Sequence, residues 1–379
     1  GDLPLSVQPE VPDLTVMLDY EDPARLGDAV MSFYSPHLPA ARADVHTNPD
    51  IADWLALRLG QLARLSVARG ATPMNGAVAP QSPEIVEAAV AGIGRELYQN
   101  YVPEPFKEAF WRLKARGKLR SIQVTTNNSA LPWEIVRPVW PDGSRDDEFL
   151  GVGYRLARWA LRDSVGQDDV PRDNVALDGI AAIAPPYEGG AFLPFQEREV
   201  VALSRLAGFQ RLNGDFASVR ALLSGAPRSF VHFSGHGQIS NSIADSPVFA
   251  IRLSDTLLEP STWQAMSTPP FVGQGTFYFF NACDIGGASS YAGFLQGWGP
   301  TLLQTGASGF IGGMWPLPDS SAADFSSEFY ALLSQRLGEG PTHLADVLRE
   351  VRSRFYETGD PTYLAYTYYG NANLRITPP

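Results

Sequence analysis

The period of the apolar positions changes along this chain. Leu14-Thr15-Val16-Met17-Leu18 predicts a short strand, behind a Pro-rich, acidic arm over residues 1–13. Residues 51–69 place apolar groups at helical spacing, and 83–115 predict two helices broken near Pro103 and Pro105. Between them, 70–82 holds Gly, Pro and Asn and predicts a loop. A strand is expected at 119–126 and a polar turn at 139–148, and an apolar pattern resumes over 149–163. Residues 164–176 are polar and contain proline. They mark the expected boundary between an amino-terminal lobe, 1–175, and a carboxyl-terminal domain, 176–379.

Past that boundary, strands alternate with helices. Strands are predicted at 179–184, 229–233, 248–254, 276–280, 308–312 and near 364–369. Helices are predicted at 196–207, 218–224, 292–304, 320–337 and 342–356. Glu197 and Glu199 near the start of the first suit its dipole, and Asp319 is placed to cap the fourth. This alternation predicts an α/β fold: a mostly parallel sheet with helices on both faces.

From Pro260 to Pro318 the only charged side chain is Asp284. Gly and Pro interrupt the stretch too often for a membrane span. It reads as the buried centre of a domain, with a lone carboxylate beside the lone thiol as a candidate site. The composition, 44% hydrophobic and 18% charged over 379 residues, supports a sizeable core. A net charge of −12 argues against a broad nucleic-acid or anionic-membrane surface. The single cysteine excludes an intrachain disulfide and a cysteine-based metal cluster, and no metal or organic cofactor is expected. Residues 1–25 carry many acids and no apolar run of signal-peptide type. With a lone thiol, that points to a reducing, cytoplasmic compartment. The opening Gly1 reads as a processed or trimmed end.

Two predicted strands run into suggestive turns, Phe233-Ser234-Gly235-His236-Gly237 and Phe280-Asn281-Ala282-Cys283-Asp284. In an open parallel sheet ligands bind beyond the carboxyl ends of the strands. Neighbouring strands would set His236 beside Cys283. A free thiol titrates near 8.5, so it needs a base to become a nucleophile at neutral pH, and an imidazole can serve. The backbone N–H groups of Gly237 and Cys283 are candidates for an oxyanion hole. His236 precedes Cys283 by 47 positions and Ala282 precedes the cysteine, which is the caspase-type spacing. His232 alternates with Val231 and Phe233, so it faces the other way and reads as structural or as a partner of the site. No G-x-x-x-x-G-K-[ST] is present, and the G-x-S-x-G of a serine hydrolase is missing too.

The segments 231–237 (VHFSGHG), 277–284 (FYFFNACD) and 307–319 (ASGFIGGMWPLPD) resemble the CHAT family, caspase-like cysteine peptidases related to separase. Trp315 and Asp319 fit the family's closing Trp-x-x-x-Asp, and 366–375 (YTYYGNANLR) resembles its last strand. Leu131-Pro132-Trp133-Glu134 looks like its amino-terminal half, where an inactive caspase-like lobe sits. The resemblance is specific over about 177–376 and looser over about 90–160. It implies His236 as general base, Cys283 as nucleophile and an acyl-enzyme formed on a protein substrate. Asn281, Asp284 and Trp315 are the implied substrate-binding residues. Asn281 stands where basic-specific metacaspases carry Asp, so the usual reason for Arg or Lys at the cleavage point is absent.

The reading is therefore a cysteine endopeptidase held inactive until a partner or sensor orders its loops, in a bacterial signalling or defence pathway. The loops 185–195 and 237–247 are the candidates for ordering. The rival is a catalytically silent caspase-like module that binds or scaffolds proteins.

Overall fold

A computed structural model describes residues 10–23, 25–48, 50–68, 82–161, 171–241, 248–268, 275–284 and 293–379. The amino-terminal part begins with β1 (Leu14–Tyr20), β2 (Asp28–Ser35) and β3 (Leu38–His46), followed by α1 (Ile51–Ala68), α2 (Pro83–Asn100) and α3 (Glu104–Ala115). Next come β4 (Ser121–Thr126), the single turn α4 (Leu150–Gly153), β5 (Arg155–Ala160) and β6 (Asn174–Ala176). The carboxyl-terminal part opens with β7 (Ile180–Ile183), α5 (Gln196–Leu203), β8 (Gln210–Leu212) and α6 (Phe216–Ser224). It continues through β9 (Phe230–Asn241), β10 (Val248–Arg252), β11 (Leu257–Leu258), α7 (Pro260–Met266), β12 (Phe277–Asp284) and α8 (Gly293–Gln304). It closes with β13 (Gly309–Gly313), α9 (Asp319–Glu339), β14 (Thr342–His343), α10 (Leu344–Glu357), β15 (Tyr366–Gly370) and β16 (Arg375–Thr377).

Among the described residues, thirteen strands form one sheet in the order β11-β10-β9-β12-β13-β15-β5-β4-β1-β2-β3, with β7 joined to β9, and β8 to β7, beside that path. β7, β9, β12 and β13 run parallel, as do β5, β4 and β1. The two halves of the chain meet where β15 pairs with β5 through Tyr369 and Arg158. A separate small sheet joins β14, β16 and β6.

β12 shows why the sheet is covered on both faces. Phe277, Tyr278, Phe279 and Phe280 are all buried, each worth about 1.5–3 kcal/mol of burial. Successive side chains point to opposite faces. Phe279 meets Phe329 and Tyr330 of α9, whereas Phe280 meets Trp263 of α7 and Trp298 of α8. The charge-poor stretch is therefore, over its described residues, the centre of the domain.

Three expectations need correction. Residues 28–46 form β2 and β3, which the apolar pattern did not announce; β3 is almost wholly exposed at the sheet edge, so it has no apolar face to show. β9 does not end at Phe233. It continues through Gly235-His236-Gly237 to Asn241, because its second half pairs antiparallel with β10 after its first half has paired with β7. β12 likewise runs through Asn281 to Asp284. The two motifs are therefore strand residues rather than turns. Asp319 is the first residue of α9, and Pro318 holds the cap position.

Candidate active site

The parallel register of β9 and β12 pairs Ser234 with Asn281, His236 with Cys283 and Gly237 with Asp284. Positions 236 and 283 are thus adjacent on neighbouring strands. The side chains of Cys283 and Asp284 lie outside the described residues, as do residues 242–247 and 285–292.

His236 stands at a gap in the sheet. β7 pairs with β9 only as far as Phe233, and β10 begins its pairing at Gly237. Tyr187, in the loop that leaves β7, fills the gap. Its hydroxyl accepts from the His236 backbone N–H at 3.2 Å and donates to the Arg252 carbonyl at 2.6 Å. Its ring packs on the imidazole at a centroid distance of 4.6 Å. Burial pushes the Tyr187 phenol up to about 12, so it stays a donor at any working pH. Gly235 makes this approach possible: a Cβ there would strike the Tyr187 hydroxyl and lie 2.7 Å from the Phe233 ring.

The imidazole is 5% exposed, and Nε2 lies 2.7 Å from the Ala191 carbonyl. A carbonyl only accepts, so Nε2 carries the proton and Nδ1 of the neutral ring keeps its lone pair. Nδ1 is buried and has no hydrogen-bond partner among the described residues. Burial lowers the pKa of His236, the Arg252 charge adds to that, and the Ala191 bond and Asp319 oppose it. The ring is therefore neutral, with a free acceptor nitrogen, at neutral pH. The loop 185–195, expected to order on activation, is the segment that supplies Tyr187 and Ala191.

A polar network lies beneath, on the α5 and α9 side. Glu199 of α5 is 2% exposed. Its Oε1 accepts from the Ser234 hydroxyl at 3.0 Å, and its Oε2 lies 2.8 Å from Asn281 Nδ2 and 2.9 Å from His232 Nε2. His232 Nδ1 contacts the Tyr330 hydroxyl at 3.0 Å. Glu199 lies in the first turn of α5, where a carboxylate suits the helix dipole as expected, and it also occupies the inward face with Gln196, Val200 and Leu203. Asn281 also donates to the Ala322 carbonyl at 3.0 Å and accepts from the Tyr366 hydroxyl at 2.7 Å. Both polar ends of Asn281 are taken up inside the fold and the residue is 4% exposed, so the expectation that it lines a substrate groove gives way to a place in this network. Trp315 is 3% exposed, just after β13. The Asp319 carboxylate accepts from the Phe195 N–H at 3.0 Å, holding the start of α5. Gln196 ties α5 to the site by donating to the carbonyls of Ser234 at 2.7 Å and Pro185 at 3.2 Å.

The sequence pointed to His236 and Cys283, whose positions the register sets side by side, and did not point to Tyr187, Ala191 or the inward place of Glu199. Ala191 acts through its carbonyl, which any residue supplies, so no side-chain signal exists for it. Glu199 did leave a signal: the spacing 196, 199, 200, 203 puts a carboxyl on an otherwise inward helix face. Among the described residues no helix is long and apolar enough to cross a membrane.

Comparison with known proteins bears on the fold. The two crystal structures of the Saccharomyces cerevisiae separase–securin complex superpose with TM-scores of 0.59 and 0.53 at 10% identity. They cover 96% and 97% of this chain but 30% of the matched chain, so this chain spans about a third of that protein's length. The Arg-specific cysteine proteinase gingipain R shares 12% identity over 86% of this chain and 74% of its own, with a TM-score of 0.45. No curated protein sequence matches the chain. The CHAT domain model matches residues 94–369, most of the chain and both site strands. The chain belongs to the CHAT-domain family and carries its caspase-like cysteine-peptidase fold.

Proposed function

We propose that the chain is a cysteine endopeptidase in which His236 is the general base and Cys283 the nucleophile. The observation that carries the reading is the buried, unpartnered Nδ1 of His236, one strand away from position 283 and fixed by Ala191 and Tyr187. Such a nitrogen is the acceptor a thiol requires. On this reading the thiol proton passes to Nδ1 and the sulfur attacks the peptide carbonyl. The N–H groups of Gly237 and Cys283 receive the oxyanion. Collapse expels the amine, which takes the proton from His236, and a water activated by the same imidazole hydrolyses the acyl-enzyme.

His236 and Cys283 both fall in the expected catalytic domain, 176–379, with 1–175 as the inactive lobe. The substrate is a protein, Asp284 belongs to its binding region, and a partner or sensor switches the enzyme on in a bacterial signalling or defence pathway in the cytoplasm. The test is incubation of wild type and Cys283→Ala with a proteome-derived peptide mixture, followed by mass spectrometry of new termini. Cleavage by the wild type and none by the variant supports the reading. Equal patterns, with and without bacterial lysate as a source of activator, count for the silent-module alternative.

A further inference from the structure

We infer that Glu199 is a positioning residue, whose carboxyl group sets the spacing of the two catalytic strands by joining Ser234 to Asn281 one rung beneath His236 and Cys283. The inference rests on the peptidase reading above.

Ser234 and Asn281 face each other across β9 and β12, and the next same-face pair along the strands is His236 with Cys283. Two residues along a strand is about 6.6 Å. Glu199 accepts from Ser234 with one oxygen and from Asn281 with the other. One rigid group from α5 therefore clamps both strands close to where the base and the nucleophile arise. His232, two residues before Ser234, buttresses the same carboxyl group.

Stability alone does not account for this choice. Burying a carboxyl group in an aromatic core costs free energy even when hydrogen bonds satisfy it, and apolar residues of similar volume make equal or better cores. Phe279 and Tyr330 pack edge-on against His232, and the neighbouring inward positions of α5 are Val200 and Leu203. What an apolar residue lacks is direction. Two acceptor oxygens held at a fixed separation define where Ser234 and Asn281 sit; a leucine does not.

The experiment is alkylation by iodoacetamide across pH 5–10. Cys283 is the only thiol, so the adduct at residue 283, located by peptide mass spectrometry, reports on it. Wild type, His236→Ala, Glu199→Gln and Glu199→Leu are compared, with a thermal melt of each. The expected wild-type profile shows a fast limb near neutral pH that His236→Ala removes. Glu199→Gln keeps an acceptor for Asn281 and lets the Ser234 hydroxyl accept instead, so it retains that limb within about threefold. Glu199→Leu loses it at least tenfold at pH 7 while still melting cooperatively. Should Glu199→Leu not fold, Ser234→Ala cuts the β9 tie alone and is expected to slow the limb three- to tenfold. A wild-type limb in every folded Glu199 and Ser234 variant overturns the inference and leaves the peptidase reading standing. A wild-type profile identical to that of His236→Ala, both alone and with bacterial lysate added as a source of activator, overturns both.

Discussion

Tyr187→Phe tests how the site is held, because it removes one oxygen and keeps the ring. The hydroxyl serves two backbone groups, the buried His236 N–H at 3.2 Å and the part-buried Arg252 carbonyl at 2.6 Å. Each buried group left without a partner costs about 1–3 kcal/mol. Tyr187 is 8% exposed, so water recovers part of that, and a net loss of about 2–4 kcal/mol is expected. Unfolding entropy near 2.1 cal/mol/K per residue turns this into a Tm lower by roughly 3–5 °C for a chain of this length. The measurement is differential scanning calorimetry, with Tyr34→Phe as a control because Tyr34 is 50% exposed. The same variant frees the His236 backbone at the gap between β7 and β10, so labelling of Cys283 by a peptide-like probe should slow about tenfold. A variant that melts with the wild type and labels at its rate would refute the claim that Tyr187 closes the gap.

Gly235→Ala attacks the same contact from the other side: a Cβ collides with the Tyr187 hydroxyl and the Phe233 ring, at a cost of about 1–3 kcal/mol, and labelling should fall with it. The lowered pKa of His236 has a definite sign. The unfolded chain takes up its proton first, near 6.5, so the folded state loses stability as pH falls from there towards the lower folded value. His236→Gln should remove that part of the Tm decline between pH 7.5 and 5.5, and the acid limb of wild-type kcat/KM should lie below 6.5. Far from the site, Glu134 and Arg158 form an ion pair in which each side chain is 1% exposed. Glu134→Ala leaves a buried guanidinium and should cost about 3–5 kcal/mol, read by urea denaturation.

The sequence made the chemistry more legible than its scaffolding. Strand residues running into Gly-His-Gly and Asn-Ala-Cys carry their own signature, because both hydrophobic period and reactive side chain are local. The run Phe277–Phe280 announced a central strand for the same reason. What stayed hidden depends on partners distant in sequence. β9 reads as ending at Phe233 because its continuation is stabilised by β10, a strand that comes later in the chain. β3, Leu-Pro-Ala-Ala-Arg-Ala-Asp-Val-His, lies exposed at an edge and shows no alternation. Asn281 looked like a substrate contact because its position was judged by the cysteine beside it. Its hydrogen bonds to Glu199, Ala322 and Tyr366 come from three other elements.

The central claim is that His236 activates Cys283, and the most direct measurement is covalent labelling with a peptide-like, thiol-directed probe at pH 7.4. Wild type and His236→Ala are compared, each confirmed as folded, alone and after addition of bacterial lysate. The account predicts a single adduct on Cys283 that forms at least tenfold more slowly in the variant. Equal labelling of the two proteins under both conditions would contradict it.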